Sequence, residues 1–293
     1  MIIDYIRSFK YKEILDNLYL DYSIKAYIDP DPLQFIYNYD DPSDREIVAL
    51  IASSLALGKV KQIVKSVSII LEKMQNPKNF LMDATLESLQ KEFLSFKHRF
   101  IKGEELASFL FGVKDVLNRF GTLENCFMNG FKDSDETVFS AIQNFVKELR
   151  TVTGENISWI LPNFSSKSAY KRLNLFLRWM VRNDNVDPGG WSQIPPSKLI
   201  VPLDTHMHKI GQIFGFTNRK GNDMKTALEI TEAFKKICPN DPVKYDFVLT
   251  RLGIMENGNR DKVLKKLLEN FLMVKNKDVG TNEMFTDDMH IMI

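Results

Sequence analysis

Two lysines and one aspartate are the residues of this sequence with the clearest potential for bond-breaking chemistry. Lys167 and Lys171 lie four positions apart in a basic segment, and Asp204 follows a Pro/Gly-rich loop. A lysine amine is a nucleophile only when it is neutral, so its surroundings must lower its pKa. An aspartate facing that amine can accept a proton or stabilise a cationic sugar. A lysine that attacks a sugar C1′ carbon forms a Schiff base, which is the chemistry of bifunctional base excision.

A helix over residues 167–182 is predicted to carry both lysines. Its polar positions recur every three or four residues and therefore share one helical face. They are Lys167, Lys171, Asn174, Arg178 and Arg182. Ser165 or Ser166 can cap the helix N-terminus. The segment holds five cations and no acid, and like charges repel unless a partner neutralises them. This pattern favours an anionic partner, with a solvated surface helix as the alternative.

A second helix is predicted to begin after Asp204 and to end at Gly215. Asp204 is expected to cap it, because aspartate side chains accept from free backbone N–H groups there. His206 and His208 are two positions apart and face different sides of a helix, which makes a poor metal pair. Cys126 and Cys238 are too few for a four-cysteine zinc site or an iron–sulfur cluster. We therefore predict no metal and no cofactor.

The composition is that of an ordinary globular protein. The chain has 293 residues, 44% of them hydrophobic, so it can bury a sizeable core. Its net charge is only +1, so the protein as a whole does not attract nucleic acid electrostatically. The N-terminus lacks the apolar segment of a signal peptide, and no run of about 18 apolar residues predicts a membrane span. A cytoplasmic location and a monomer are the default expectations.

Hydrophobic periodicity predicts an all-α protein of eleven or twelve helices, without a repeat or a convincing strand. A helical domain is expected over residues 1–275, and residues 276–293 are expected to form a mobile tail. The predicted helices cover residues 4–24, 43–58, 59–74, 83–96, 103–119, 122–131, 135–150, 167–182, 205–214, 223–237, 241–252 and 260–275.

Short motifs in this order resemble the helix-hairpin-helix DNA glycosylases, the superfamily of endonuclease III and the archaeal 8-oxoguanine glycosylases. The run 161–169, LPNFSSKSA, resembles the family's hairpin, and 203–206, LDTH, resembles its aspartate motif. The likeness covers roughly residues 40–75 and 155–255. More closely, the runs KRLNLFLRWMVR, VDPGGW, PLDTH and DPVKYDF resemble a family of uncharacterised bacterial proteins of about this length.

The resemblance implies a two-lobed, glycosylase-like helical fold and a repair function on damaged duplex DNA. It implies a nucleophilic lysine and an assisting Asp204. Alignment of the hairpin with the family motif places the nucleophile at Lys167, whereas alignment of the following helix places it at Lys171. The implied DNA contacts are Arg172, Arg178, Arg182, Lys209, Ser53 and Ser54. The implied base-pocket residues are Tyr170, Trp179, Trp191 and His206, although a tryptophan is more often a core residue.

Departures from the family pattern leave other functions open. Asn163 and Ser165 replace the hairpin glycines, which in the family let a phosphate approach the backbone. Leu55 or Ala56 stands where family members often carry a wedging glutamine. A non-catalytic nucleic-acid-binding relative and a helical protein-interaction module are therefore alternatives. The sequence does not distinguish among DNA lesions or between DNA and RNA.

Overall fold

Helices dominate the computed structural model, which describes the backbone of residues 2–153, 157–162 and 168–255 and the side chains of 11–153, 157–162 and 168–251. The helices are α1 (Ile2–Tyr22), α2 (Pro42–Ser54), α3 (Val60–Met74), α4 (Pro77–Asp83), α5 (Leu86–Glu92), α6 (Gly103–Phe120), α7 (Leu123–Met128), α8 (Phe139–Leu149), α9 (Lys171–Val181), α10 (Thr205–Ile213), α11 (Met224–Ile237) and α12 (Asp246–Met255). Short 3-10 helices cover Lys25–Tyr27, Pro32–Asn38 and Pro196–Lys198. The prediction of an all-α protein is confirmed at this level.

A small β-hairpin between α5 and α6 is the main element that the sequence did not predict. Its strands β1 (Lys97–His98) and β2 (Ile101–Lys102) pair antiparallel, with His98 opposite Ile101. Strands of two residues are too short to show an alternating pattern, so periodicity could not find them. The helix that was predicted over 83–96 ends earlier, at Glu92, and the hairpin follows after the turn at residues 93–96.

Helix α2 lies at the centre of the fold and packs most extensively against α9. Every residue of α2 from Glu46 to Ser54 is buried, as expected for a helix that is apolar on nearly all sides. The buried apolar side chains form one continuous core from Tyr11 to Leu249. The two-lobed division and the specific glycosylase-like fold stay predictions.

The predicted helices from 59 to 74 and from 103 to 119 agree with α3 and α6 within about one residue. Helix α12 starts at Asp246 rather than at Asp241, because residues 242–245 form turns before it. The predicted helix over 260–275 and the predicted tail over 276–293 lie outside the described residues. Among the described helices, none combines the length and the apolar character needed to cross a membrane.

Candidate active site

Lys171 is the first residue of α9, four positions later than the predicted start of the basic helix. Tyr170 has a left-handed backbone (φ 47°, ψ 36°), and Ser168 forms an antiparallel bridge with Asp223. A non-glycine residue in this conformation interrupts the helical run, so residues 168–170 are not helical. The shared helix proposed for Lys167 and Lys171 is therefore wrong at its N-terminal end. Lys167, the candidate caps Ser165 and Ser166, and Asn163 lie outside the described residues.

Asp204 caps α10 as predicted. Its Oδ1 atom accepts from the backbone N–H groups of His206 at 2.9 Å and Met207 at 2.8 Å. Its Oδ2 atom lies 3.4 Å from Lys171 Nζ, with the lysine side chain 36% exposed and the aspartate 23% exposed. One carboxylate oxygen thus holds the helix start and the other faces the amine. The fold brings together the lysine and the aspartate that the sequence analysis singled out.

A pocket of about 550 Å³ opens beside this pair, within the usual range for a small-molecule site. Both Lys171 and Asp204 line it, together with Tyr170, Arg172 and His206. Apolar side chains form much of the remaining wall, among them Leu57, Val60, Ile160, Leu173, Leu203 and Phe247. The arrangement offers an amine and a carboxylate at the edge of a largely apolar cavity.

Asp246 adds a second carboxylate to the pocket wall. One of its oxygens accepts from Arg178 Nη1 at 2.5 Å, whereas Oδ1 is buried without a hydrogen-bond partner among the described residues. The pKa of Asp246 is raised to about 6, mainly by burial and to a smaller extent by the nearby charge of Asp204. The sequence analysis quoted this residue within the run DPVKYDF but gave it no role. Nothing in the local pattern distinguished it from a helix-start residue.

Arg178 and Arg182 form the centre of a buried charge cluster rather than a surface stripe. Their side chains are 3% and 4% exposed. Four carboxylates surround them, and the ion pairs join Arg178 to Asp187 and Asp246, and Arg182 to Asp184, Asp187 and Asp241. The acids missing from the helix itself come from later parts of the chain. The expectation that these two arginines face DNA phosphates is therefore wrong.

Other predicted DNA contacts divide into buried and exposed groups. Ser53 and Ser54 are 0% and 1% exposed, so the expected DNA-facing turn at the end of α2 is wrong. Arg172 is partly exposed and donates to the carbonyl oxygens of Ser54 at 2.6 Å and Trp159 at 2.7 Å. Lys209 is exposed on α10, and its contact with DNA stays a prediction.

Two of the predicted base-pocket aromatics belong to the core. Trp179 is fully buried, and Trp191 is 5% exposed, packed edge-on against Phe176. Neither lies on the pocket wall, so the expectation that they stack on a flipped base is wrong. Tyr170 lines the pocket but is itself buried and packs edge-on against Phe139. His206 is the exposed member of the set and lies at the pocket wall.

Glu46 is a buried acid of α2 that joins distant parts of the fold. Its carboxylate accepts from the backbone N–H groups of Leu123 and Glu124 and from Trp191 Nε1. Burial raises the pKa of Glu46 to about 7, although these three hydrogen bonds act in the opposite direction.

We expect Glu46 to make the stability of the protein fall as the pH rises from about 4.5 to about 7. In this window the folded state binds the proton more tightly than the unfolded chain, so deprotonation favours unfolding by about 3 kcal/mol. Urea unfolding at several pH values measures this slope, and Glu46→Gln is expected to remove that part of it. If the unfolding free energies of the wild-type protein and of Glu46→Gln changed equally with pH, Glu46 would not be the group responsible.

Within the described residues, no group of three His, Cys, Asp or Glu side chains could hold a metal ion. No curated protein and no solved structure matches the chain. A family model matches residues 31–255, a range that contains Lys171, Asp204, Asp246 and the whole buried charge cluster. The chain therefore belongs to the DUF2400 family, described as "Protein of unknown function".

Proposed function

We propose that the protein is a DNA repair glycosylase with lyase activity, in which Lys171 is the nucleophile and Asp204 transfers protons. The observation that carries this proposal is the 3.4 Å approach of Lys171 Nζ to Asp204 Oδ2 at the edge of the 550 Å³ pocket. The resemblance of residues 161–169 and 203–206 to glycosylase motifs supplies the substrate class. A damaged base rotated out of the duplex would enter the pocket, where it no longer stacks in the helix.

The proposed reaction begins when the Lys171 ammonium gives one proton to solvent and the resulting amine attacks C1′ of the damaged nucleotide. The N–C1′ bond forms while the glycosidic bond breaks, and the base leaves with the bonding electron pair. Asp204 accepts the proton that the attacking amine loses. Asp204 gives this proton to O4′ as the sugar ring opens to the Schiff base, and the departed base takes a proton from water. Loss of a C2′ proton then expels the 3′ phosphate, and water hydrolyses the Schiff base to release the lysine.

Borohydride trapping tests the proposal because it reduces the Schiff base to a stable amine. We expect a covalent adduct on at least one duplex from a panel that carries an abasic site, 8-oxoguanine, uracil or thymine glycol. Base release without an adduct would indicate a glycosylase that uses water rather than lysine. If adduct and base release are both absent while salt-sensitive binding remains, the protein is a non-catalytic DNA-binding relative. If DNA binding is absent too, the protein-interaction alternative is favoured.

Asp204→Asn separates the chemical role of this residue from its capping role. Asparagine is an equally good helix cap, so we expect a stability change below about 0.5 kcal/mol. Base release is expected to fall by about 10²–10⁴-fold, because the amide cannot accept the proton. Single-turnover base release and urea unfolding measure the two effects.

A matched control for capping is Asp41→Ala, since Asp41 caps α2 by accepting from Ser43 and Asp44. Loss of that cap is expected to cost about 1 kcal/mol and to leave base release unchanged. An active Asp204→Asn variant would contradict the proton-transfer role.

A further inference from the structure

Two aromatic side chains stack on each other while facing solvent. The rings of Phe100 and Trp159 have centroids 4.7 Å apart and an interplanar angle of 28°, and each residue is 55% exposed. Phe100 lies in the turn of the β-hairpin next to Arg99, whose guanidinium carbon is 5.6 Å from the Phe100 ring centroid. Aromatic side chains of this size usually gain stability by burial, so their shared exposure requires another explanation.

A buried acid fixes the backbone that carries Trp159. The carboxylate of Glu105 accepts from the backbone N–H groups of Trp159 at 2.7 Å and Ile160 at 3.0 Å. Arg172 Nη2 donates to the Trp159 carbonyl oxygen at 2.7 Å. Glu105 is 9% exposed, and burial raises its pKa. The indole is therefore presented to solvent by a constrained backbone.

A basic groove of about 680 Å³ lies between the hairpin and α3. Lys65, Lys73, Lys97 and Arg99 line it. Lys73 forms an ion pair with Glu92, whereas the other three cations have no carboxylate within ion-pair distance among the described residues. The sequence from 93 to 103 contains no acid. In a chain with a net charge of only +1, this groove is a local concentration of positive charge.

Neighbours of the aromatic pair and of the groove line the Lys171 pocket. Ile160, which follows Trp159, lines that pocket, as does Gly58. Arg99 packs over Gly58 so closely that an added Cβ atom would lie 2.9 Å from Arg99 Nη1. His98 Nε2 is 3.1 Å from the Leu57 carbonyl oxygen and fixes the hairpin to the same loop. The hairpin that carries the groove is therefore anchored to the loop of Leu57 and Gly58 that lines the pocket.

We propose that the Phe100–Trp159 pair and the Lys65–Lys97–Arg99 groove bind unstacked nucleotides of a single-stranded stretch of nucleic acid. Every base presents a flat face that can stack on an exposed aromatic ring, and cations along a groove follow the phosphates. An acidic peptide would use the cations but not the stacked rings, so the combination favours a nucleic acid. This inference rests on the proposed function for the link between the surface and the Lys171 pocket.

Tryptophan fluorescence of the full chain tests the surface directly. The chain has three tryptophans, and because Trp179 and Trp191 are 0% and 5% exposed, ligand-sensitive emission comes from Trp159. We expect a short oligothymidylate to quench this emission and to prevent quenching by acrylamide. Phe100→Ala and Arg99→Ala are each expected to weaken oligonucleotide binding by about 10-fold. The matched control Lys236→Ala removes an exposed cation of α11 and is expected to change nothing.

Two results would overturn the proposal. Equal quenching by polyglutamate of the same charge would assign the surface to an acidic protein partner, and unchanged binding in Phe100→Ala would exclude base stacking. Parallel trapping assays distinguish this inference from the proposed function. If an oligonucleotide quenches the Trp159 emission of the wild-type protein but no adduct is trapped, the glycosylase proposal alone is refuted. If the oligonucleotide does not quench this emission and Trp159→Ala leaves the trapped adduct unchanged, the proposed surface alone is refuted.

Discussion

Replacing Lys171 with alanine is expected to abolish the borohydride-trapped adduct and to lower base release by about 10³-fold or more. The amine forms the covalent bond to C1′ in the proposed reaction, and removing a nucleophile has effects of this size. The side chain is 36% exposed, so the change is expected to alter stability by no more than about 0.5 kcal/mol. Gel analysis of trapped adducts, with single-turnover base release, measures the loss.

Three further substitutions give the Lys171 experiment its controls. Lys171→Arg keeps the positive charge but cannot form a Schiff base, because a guanidinium does not deprotonate in proteins; we expect no adduct. Lys225→Ala removes an exposed lysine of α11 and is expected to remain fully active. Lys167→Ala tests the other lysine favoured by the glycosylase resemblance. An adduct that survives in Lys171→Ala and disappears in Lys167→Ala would assign the nucleophile to Lys167 and contradict our choice.

Arg178→Met is expected to destabilise the fold by about 3–5 kcal/mol near neutral pH. Removing one partner of a buried ion pair leaves an uncompensated charge in the core, and here Asp187 and Asp246 would both lose a cation. Methionine keeps much of the volume, so a cavity contributes little. Urea unfolding monitored by circular dichroism gives the free energy.

The pH dependence of the unfolding free energy of Arg178→Met shows whether the uncompensated carboxylates cause the loss of stability. Without Arg178 the folded-state pKa of Asp246, already raised to about 6, is expected to rise further above its unfolded value. The lost stability is then greatest at high pH and is partly regained as the pH falls, because the carboxyl becomes neutral. Arg119→Met is the matched control, since Arg119 forms ion pairs with Asp115 and Glu148 but is 33% exposed. We expect it to cost no more than about 1 kcal/mol, and an equal loss in both variants would contradict the argument.

The sequence predicted the start of α10 correctly but did not predict what α9 faces. Asp204 was identified as a cap because capping is a local interaction between neighbours in the chain. The partners of Arg178 and Arg182 are spread from Asp184 to Asp246, in segments whose approach depends on the whole fold. Periodicity places polar residues on one face of a helix but does not tell whether water or buried acids cover that face. The two arginines were therefore mistaken for surface cations.

The candidate site was predictable in part for the same reason. Lys171 belongs to a run of basic residues at helical spacing and Asp204 to a capping signal, and both the chemistry of a lysine with an aspartate and the resemblance predicted that they act together. Asp246 gave no such signal, because its burial comes from the packing of α12 against α10. Trp159 and Phe100 were missed because an exposed tryptophan and a buried one look alike in a sequence. The stacking of these two rings depends on a hairpin too short for periodicity to detect.

The ion pair between Arg251 and Asp31 joins two segments that are 220 positions apart in the chain. Asp16 of α1 is likewise held by Lys244 and Tyr245, which lie in the turns directly before α12. During synthesis, α2 and α9 can pack together while α12 is still inside the ribosome. The nascent chain then already has Lys171 and Asp204 but lacks the pocket wall formed by Asp246, Phe247 and Arg251. The order of translation thus delays completion of this pocket until α12 has emerged.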